Sequence, residues 1–174
     1  MEVTLFLVQS MDGYFYQPSV VAGTQNIDIC AFVKEYCNSV DYLLTTRENY
    51  MEVYAECAEW PFNKPLYVIT DVDLSFTGTT PVEFITSDHL EYIEELKKNK
   101  SGSMGIMPTN TSNELMRLLL SHEFVDEINI YTVPVLQAMG RKALPAVKPS
   151  GWKILESRQV QQNISFFKYG KNSI

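Results

Sequence analysis

Sulfur and imidazole ligands are scarce in this 174-residue chain: it has three cysteines, Cys30, Cys37 and Cys57, and two histidines, His89 and His122. The cysteines form no close CxxC pair, and three is an odd number, so neither a zinc knuckle nor a disulfide framework follows. Basic residues are also in deficit, with 14 Lys and Arg against 21 Asp and Glu, a formal net charge of -7. A phosphate backbone would meet a repulsive average field, which argues against nucleic acid as a partner. Long hydrophobic runs are missing. The most apolar stretch near the start, VTLFLVQ, is too short to span a bilayer and has neither a basic n-region nor a small-residue cleavage site. No membrane partner is expected, and the expected compartment is cytoplasmic. Repeats and low-complexity tracts are absent too, while 45% of residues are hydrophobic and 12% aromatic, enough for one folded domain over 1–174.

What is present alternates. Val3 to Val8 is apolar enough for a strand buried on both faces, and it runs into SMDGYFYQP, a turn-forming stretch. Ile27, Cys30, Ala31, Lys34 and Cys37 follow helical spacing, with the Lys34 stem lying along the stripe and both cysteines buried as small hydrophobes. VDYLLTT (40–46) is a strand, and Thr45 with Glu48 forms a capping box that starts a helix to about Glu56. PLYVIT and VEFIT are two more strands, followed by a charged helix that Asp88 and Glu91 would cap. Met104 to Met107 is a strand, PTNTSN a loop, and Thr111 with Glu114 a capping box for a leucine-rich helix. DEINIYTVPVL is strand-like, and WKILESRQVQQNISFFKY reads as an antiparallel hairpin. Tyr131, Val133 and Val135 alternate along one strand and suit either a packed helix or a second subunit. The expected fold class is α/β: a largely parallel central sheet with helices on both faces and a C-terminal antiparallel hairpin.

Ligands of such sheets bind beyond the carboxyl ends of the strands, so the loops after Val8, Leu44, Ile69 and Met107 are the places for chemistry. Asp12 either satisfies its own turn or projects over a ligand. Arg47 falls in the first turn of its helix, where a cation opposes the helix dipole at about 0.3–1 kcal/mol; a bound anion would offset that, since Arg and a helix N-terminus together suit a phosphate. Ser10 has no His and acid beside it, so hydrolase chemistry has no constellation behind it.

The ordered features Ser10, Asp12, Gly13 and Tyr14; Arg47 with Tyr50; Trp60-Pro61; Asp126-Glu127; and Pro134-Val135-Leu136 leading to Gly140 together resemble the dihydrofolate-reductase-like family. The likeness is to the branch similar to the reductase domain of the riboflavin-biosynthesis deaminase-reductase, and it covers nearly the whole chain. It implies an NADPH-dependent reductase that transfers a hydride to a pyrimidine, a pterin or a related heterocyclic small molecule, in a homodimer. By the same resemblance Asp12 faces the substrate, and Thr45, Thr46 and Arg47 contact cofactor phosphates. Gly140 belongs to the cofactor-binding glycine run, and Asp28 is the nearest counterpart of the substrate-binding acid, with an equal claim as a dipole partner of its helix.

Three glycine positions depart from the family pattern. Pro108–Asn113 stands where a Gly-Gly pair is usual, Thr46 precedes Arg47, and Ala138 replaces the first glycine of the run ending at Gly140. Either Thr109, Asn110, Thr111 and Ser112, with Asn113, replace lost backbone contacts to a phosphate by hydroxyls and amides, or the loop fills the cofactor site and leaves a non-catalytic binding or dimerisation module.

Overall fold

The structure, a computed structural model, describes residues 1–17, 27, 29–57, 61–72, 81–86, 88–107, 113–160 and 163–172. Eight strands form one sheet: β1 (Glu2–Ser10), β2 (Tyr42–Thr46), β3 (Leu66–Ile69), β4 (Val82–Ile85), β5 (Ser103–Ile106), β6 (Glu127–Val133), β7 (Trp152–Gln159) and β8 (Ser165–Lys171). Four helices, α1 (Ile29–Ser39), α2 (Arg47–Cys57), α3 (His89–Asn99) and α4 (Glu114–Ser121), connect them. The spatial order is β4-β3-β2-β5-β1-β6-β8-β7. All pairings from β4 to β6 are parallel, while β8 runs antiparallel to β6 and β7 antiparallel to β8. The expected fold class is the observed one, hairpin included.

Side-chain alternation splits each central strand between two cores. Phe6 and Val8 of β1, Leu43 of β2, Val68 of β3 and Tyr131 and Val133 of β6 pack under α1 and α2. Leu5 and Leu7, Leu44, Tyr67, Ile106 and Ile130 pack on the opposite face under α3 and α4. Strands buried on both faces read as continuous apolar runs, which explains why VTLFLV shows no alternation. Tyr131 stacks on Phe32 of α1 with ring centroids 4.7 Å apart, so the Tyr131 and Val133 stripe faces a helix. Outside this double core, β7 is exposed along nearly its whole length. Among the described residues no helix is long and apolar enough to cross a membrane.

The face of α1 differs from the one expected. Ile29, Phe32 and Val33 with Tyr36 and Cys37 pack inward, while Cys30, Ala31 and Lys34 are exposed. The helix starts two residues later than the spacing suggests, and turning Phe32 and Tyr36 inward buries far more apolar area than Cys30 and Ala31 would. Cys37 is buried as expected, and burial pushes its thiol pKa up to about 12.

Helix starts also differ in detail. Thr45 lies within β2, and it is Thr46 that precedes α2, its Oγ1 accepting the Asn49 N–H at 3.4 Å. Asp88 precedes α3 as expected but makes no side-chain cap bond and has a φ of 43°. Asn113, the residue before α4, likewise makes no side-chain cap bond to the helix. Glu114 pairs with Arg117 at 2.8 Å, while Thr111 lies outside the described residues.

Close packing of α1 on the sheet depends on Gly105 in β5. A Cβ there would lie 2.9 Å from Val40 Cγ2 and 3.0 Å from the Tyr36 hydroxyl. That hydroxyl donates to the Thr4 carbonyl at 2.7 Å and lies 3.0 Å from Thr4 Oγ1, tying the helix to β1 through a fully buried bond. Gly105→Ala is expected to destabilise the protein by about 1–3 kcal/mol through overpacking, read as a lower urea midpoint with an unchanged slope.

Candidate functional site

Two crossovers set the site's position. The chain leaves β1 through α1 on one face toward β2, and leaves β5 through α4 on the other face toward β6. Because β1 and β5 are neighbours, their carboxyl ends open on the crevice where open α/β sheets take ligands. The two strands are unequal. β5 ends opposite Leu5 of β1, while β1 stays paired with β6 as far as Ser10. The chain turns back at Gly13, where φ is +79°, and residues 14–16 fill the vacated edge. Tyr16 N–H donates to the Val8 carbonyl at 3.0 Å, and Ser10 N–H to the Tyr14 carbonyl at 2.9 Å.

Asp12, at the tip of this turn, is engaged by protein donors. Ser10 Oγ donates to Oδ1 at 2.6 Å, Gln137 N–H to Oδ1 at 3.1 Å and Ala138 N–H to Oδ2 at 2.8 Å. The Ser10 hydroxyl, with help from the Ala138 and Gln137 amides, holds the carboxyl pKa down at about 2. This geometry favours the turn reading of Asp12 over substrate contact: the carboxylate clamps the first loop to residues 137–138. Ala138 has a φ of +62°, a left-handed conformation that glycine adopts freely and that costs about 1–2 kcal/mol for a residue with a Cβ.

Gln137 completes the clamp and is nearly fully buried. Its amide nitrogen donates to the Phe15 carbonyl at 3.0 Å and the Met139 carbonyl at 2.9 Å, and its Oε1 accepts Gln17 N–H at 3.0 Å. Gly140 has a φ of +113°, and a Cβ there would sit 3.0 Å from that same amide. Lys142 Nζ donates to the Asp12 carbonyl at 3.0 Å and stands 3.8 Å over the Tyr14 ring. The Lys142 carbonyl accepts Asn113 Nδ2 at 2.8 Å, so the start of α4 is tied to the same assembly. Sequence reasoning missed Gln137, whose bonds to Phe15 and Gln17 span 120 residues or more and leave no local pattern.

At the neighbouring edge position, β2 passes into α2 without a loop. Thr45 is fully buried and its Oγ1 accepts Asn49 Nδ2 at 2.7 Å. That bond anchors the helix start. Thr46 caps α2 and is half-buried. Arg47 occupies the first helical position, and its Nε is buried without a hydrogen-bond partner among the described residues. Asn113 Oδ1, at the start of α4, is in the same condition. A buried polar atom left unpaired costs about 1–3 kcal/mol. Among the described residues three such atoms lie at helix N-termini after strand ends, Arg47 Nε, His89 Nε2 and Asn113 Oδ1; at Arg47 an anionic ligand would supply an acceptor. Asp28, Thr109, Asn110, Thr111 and Ser112 lie outside the described residues. Among the described residues no cluster of metal-ligating side chains occurs.

No protein-family model matches the sequence, and no curated protein matches it either. Solved structures do match in fold. A protein of Shewanella sp. PV-4, provisionally described as a riboflavin biosynthesis protein, superposes with a TM-score of 0.75 at 20% identity over 99% of this chain and 100% of its own. Dihydrofolate reductase from Enterococcus faecalis, complexed with NADP(H) and RAB-propyl, superposes with a TM-score of 0.67 at 14% identity, covering 99% and 97% of the two chains. A pyrimidine reductase-like protein from Corynebacterium diphtheriae gives 0.65 at 10% identity over 99% and 92%. The chain has the dihydrofolate reductase-like fold.

Two outcomes follow from the clamp. Asp12 has a folded-state pKa below its ordinary value near 3.8, so its contribution is complete above that value and is lost as pH falls toward about 2. Asp12→Asn should lower stability at pH 7 and flatten its fall across that window, as followed by urea denaturation at each pH. Gln137→Ala, which leaves two carbonyls and one N–H unpaired, should cost about 2–4 kcal/mol in the same assay.

Proposed function

We propose that this chain is an NADPH-dependent reductase that transfers a hydride to a pyrimidine, a pterin or a similar planar heterocycle at the carboxyl edge of β2, β5 and β1. Arg47 carries the reading. It is a cation in the first turn of an eleven-residue helix, its Nε is buried and lacks a partner among the described residues, and it stands at the carboxyl edge of the sheet, where open α/β sheets take ligands.

The residues present fit a dinucleotide phosphate in kind. The guanidinium supplies charge-assisted donors, the opening amides of α2 add theirs, and Thr46 fixes where that helix begins. When bound, the dihydronicotinamide supplies the hydride, and the protein's part is to orient and to exclude water. The Asp12 carboxylate holds the first loop against residues 137–138, keeping one wall of the crevice in place. Thr45, through Asn49, holds the helix start from below.

A specific observation supports a second reading, a ligand-binding or dimerisation module without catalysis. The glycine turns that let backbone approach a pyrophosphate are replaced at Thr46 and Ala138 and in the segment 108–113. At Ala138 the glycine-like backbone persists, which favours retention of the site.

Calorimetric or fluorescence titration with NADPH separates the two readings. Saturable binding is expected, weakened about tenfold or more in Arg47→Ala, because a hydrogen bond to a charged group contributes about 1.5–3 kcal/mol, and weakened as salt rises. Absence of saturable binding up to about millimolar, a free energy weaker than about -4 kcal/mol, would leave the module reading.

A further inference from the structure

Tyr16 is among the largest side chains buried in the molecule, 2% exposed, yet its hydroxyl is buried with no hydrogen-bond partner among the described residues. Its place follows from the edge geometry. Residues 14–16 run antiparallel to the end of β1, with Phe15 bridged to Gln9 and Tyr16 N–H on the Val8 carbonyl. Tyr16 therefore shares Val8's face of the sheet, the one covered by α1 and α2. It belongs to the same apolar cluster as Val8, Tyr50, Met107 and Val133. Met107 follows β5, so the ring stands at the mouth of the β1/β5 crevice on its α1 side.

Buried tyrosine hydroxyls ordinarily find partners. This one lies in an apolar cluster at the carboxyl ends of β1 and β5, and a planar ring entering there would meet Tyr50, Met107 and a hydroxyl that has no partner among the described residues. We infer that the Tyr16 hydroxyl is a recognition group for the heterocycle, donating to a ring carbonyl or ring nitrogen. The inference rests on the reductase reading for the identity of the ligand. It goes beyond that reading in naming a residue that neither the ordered motifs nor the cofactor contacts include. Apolar contact with a ring tolerates many shapes, whereas a buried hydroxyl discriminates against rings that cannot pair with it.

Tyr16→Phe removes the hydroxyl and keeps the ring. The experiment compares the thermal unfolding of wild type and variant without ligand, then titrates each with NADPH alone and with 5,6-diaminouracil or 7,8-dihydropterin in the presence of NADPH. The expected result is an unchanged or higher melting temperature for the variant, since an unpaired group has been removed, with unchanged NADPH affinity and about tenfold weaker binding of at least one ring probe. A lower melting temperature would show that the hydroxyl has a partner in the free protein and overturn the inference. So would equal affinity of both proteins for the ring probes, failure of wild type to bind either probe, or a loss of NADPH affinity matching the loss for the ring. If wild type fails to bind NADPH but the ring contrast persists in titrations without it, the cofactor reading falls and Tyr16 recognition stands.

Discussion

The unequal lengths of two neighbouring strands shape the functional end of this molecule. β1 has nine residues and β5 four, and a central strand cannot leave half its backbone unpaired within a core. The chain meets that demand itself, turning at Gly13 and laying residues 14–16 along the vacated edge. One fold-back thus completes the β1 ladder, closes one side of the crevice and carries Tyr16 into the apolar cluster. On the other side β6 keeps pairing as far as Ser10, which brings the segment after it within reach of the first turn.

From that arrangement the coupling of distant segments follows. Asp12 and Gln137 each bond to the other's loop, and Lys142 spans from the Asp12 carbonyl to Asn113 at the start of α4. The wall of the crevice is a hydrogen-bonded assembly from three parts of the chain, and it tolerates the positive φ of Ala138 because the Ala138 N–H is held on Asp12. Four buried side-chain atoms without a partner among the described residues, Tyr16 Oη, Arg47 Nε, His89 Nε2 and Asn113 Oδ1, stand out against this pairing. Buried polar groups are ordinarily hydrogen-bonded, so each of these exceptions calls for an explanation, and for Arg47 Nε a bound acceptor would be one.

Much of the architecture was legible in the sequence because two-face burial writes continuous apolar runs: VTLFLV, YLL and the Tyr131 strand were found where expected, and so was the C-terminal antiparallel hairpin. What failed was finer than the period. In α1 the face expected inward ran through Cys30, Ala31 and Lys34, and the larger apolar volume of Phe32 and Tyr36 turned the other face to the sheet. At α2, Thr45 and Thr46 are chemically equal cap candidates, and only the register of β2 put Thr46 at the boundary. Arg47 was legible as a cation against its helix dipole. Asp12 was legible as a turn residue, but its reach to residues 137–138 was not. Gln137 and Tyr16 left no signal, since a glutamine after an apolar run and a tyrosine in an aromatic stretch look ordinary until tertiary pairing shows one satisfied and the other not.

The central claim is that ligands enter at the carboxyl ends of β2, β5 and β1. Backbone amides in the first turn of a helix have no intrahelical acceptor, so they exchange with solvent rapidly when free and slowly when a bound phosphate accepts from them. Hydrogen–deuterium exchange with and without saturating NADPH therefore tests the claim directly. Slowed exchange is expected at the start of α2 and of α4, with β7 unchanged. Protection confined to the β7–β8 hairpin or to the amino ends of the strands, with α2 and α4 unaffected, would contradict it.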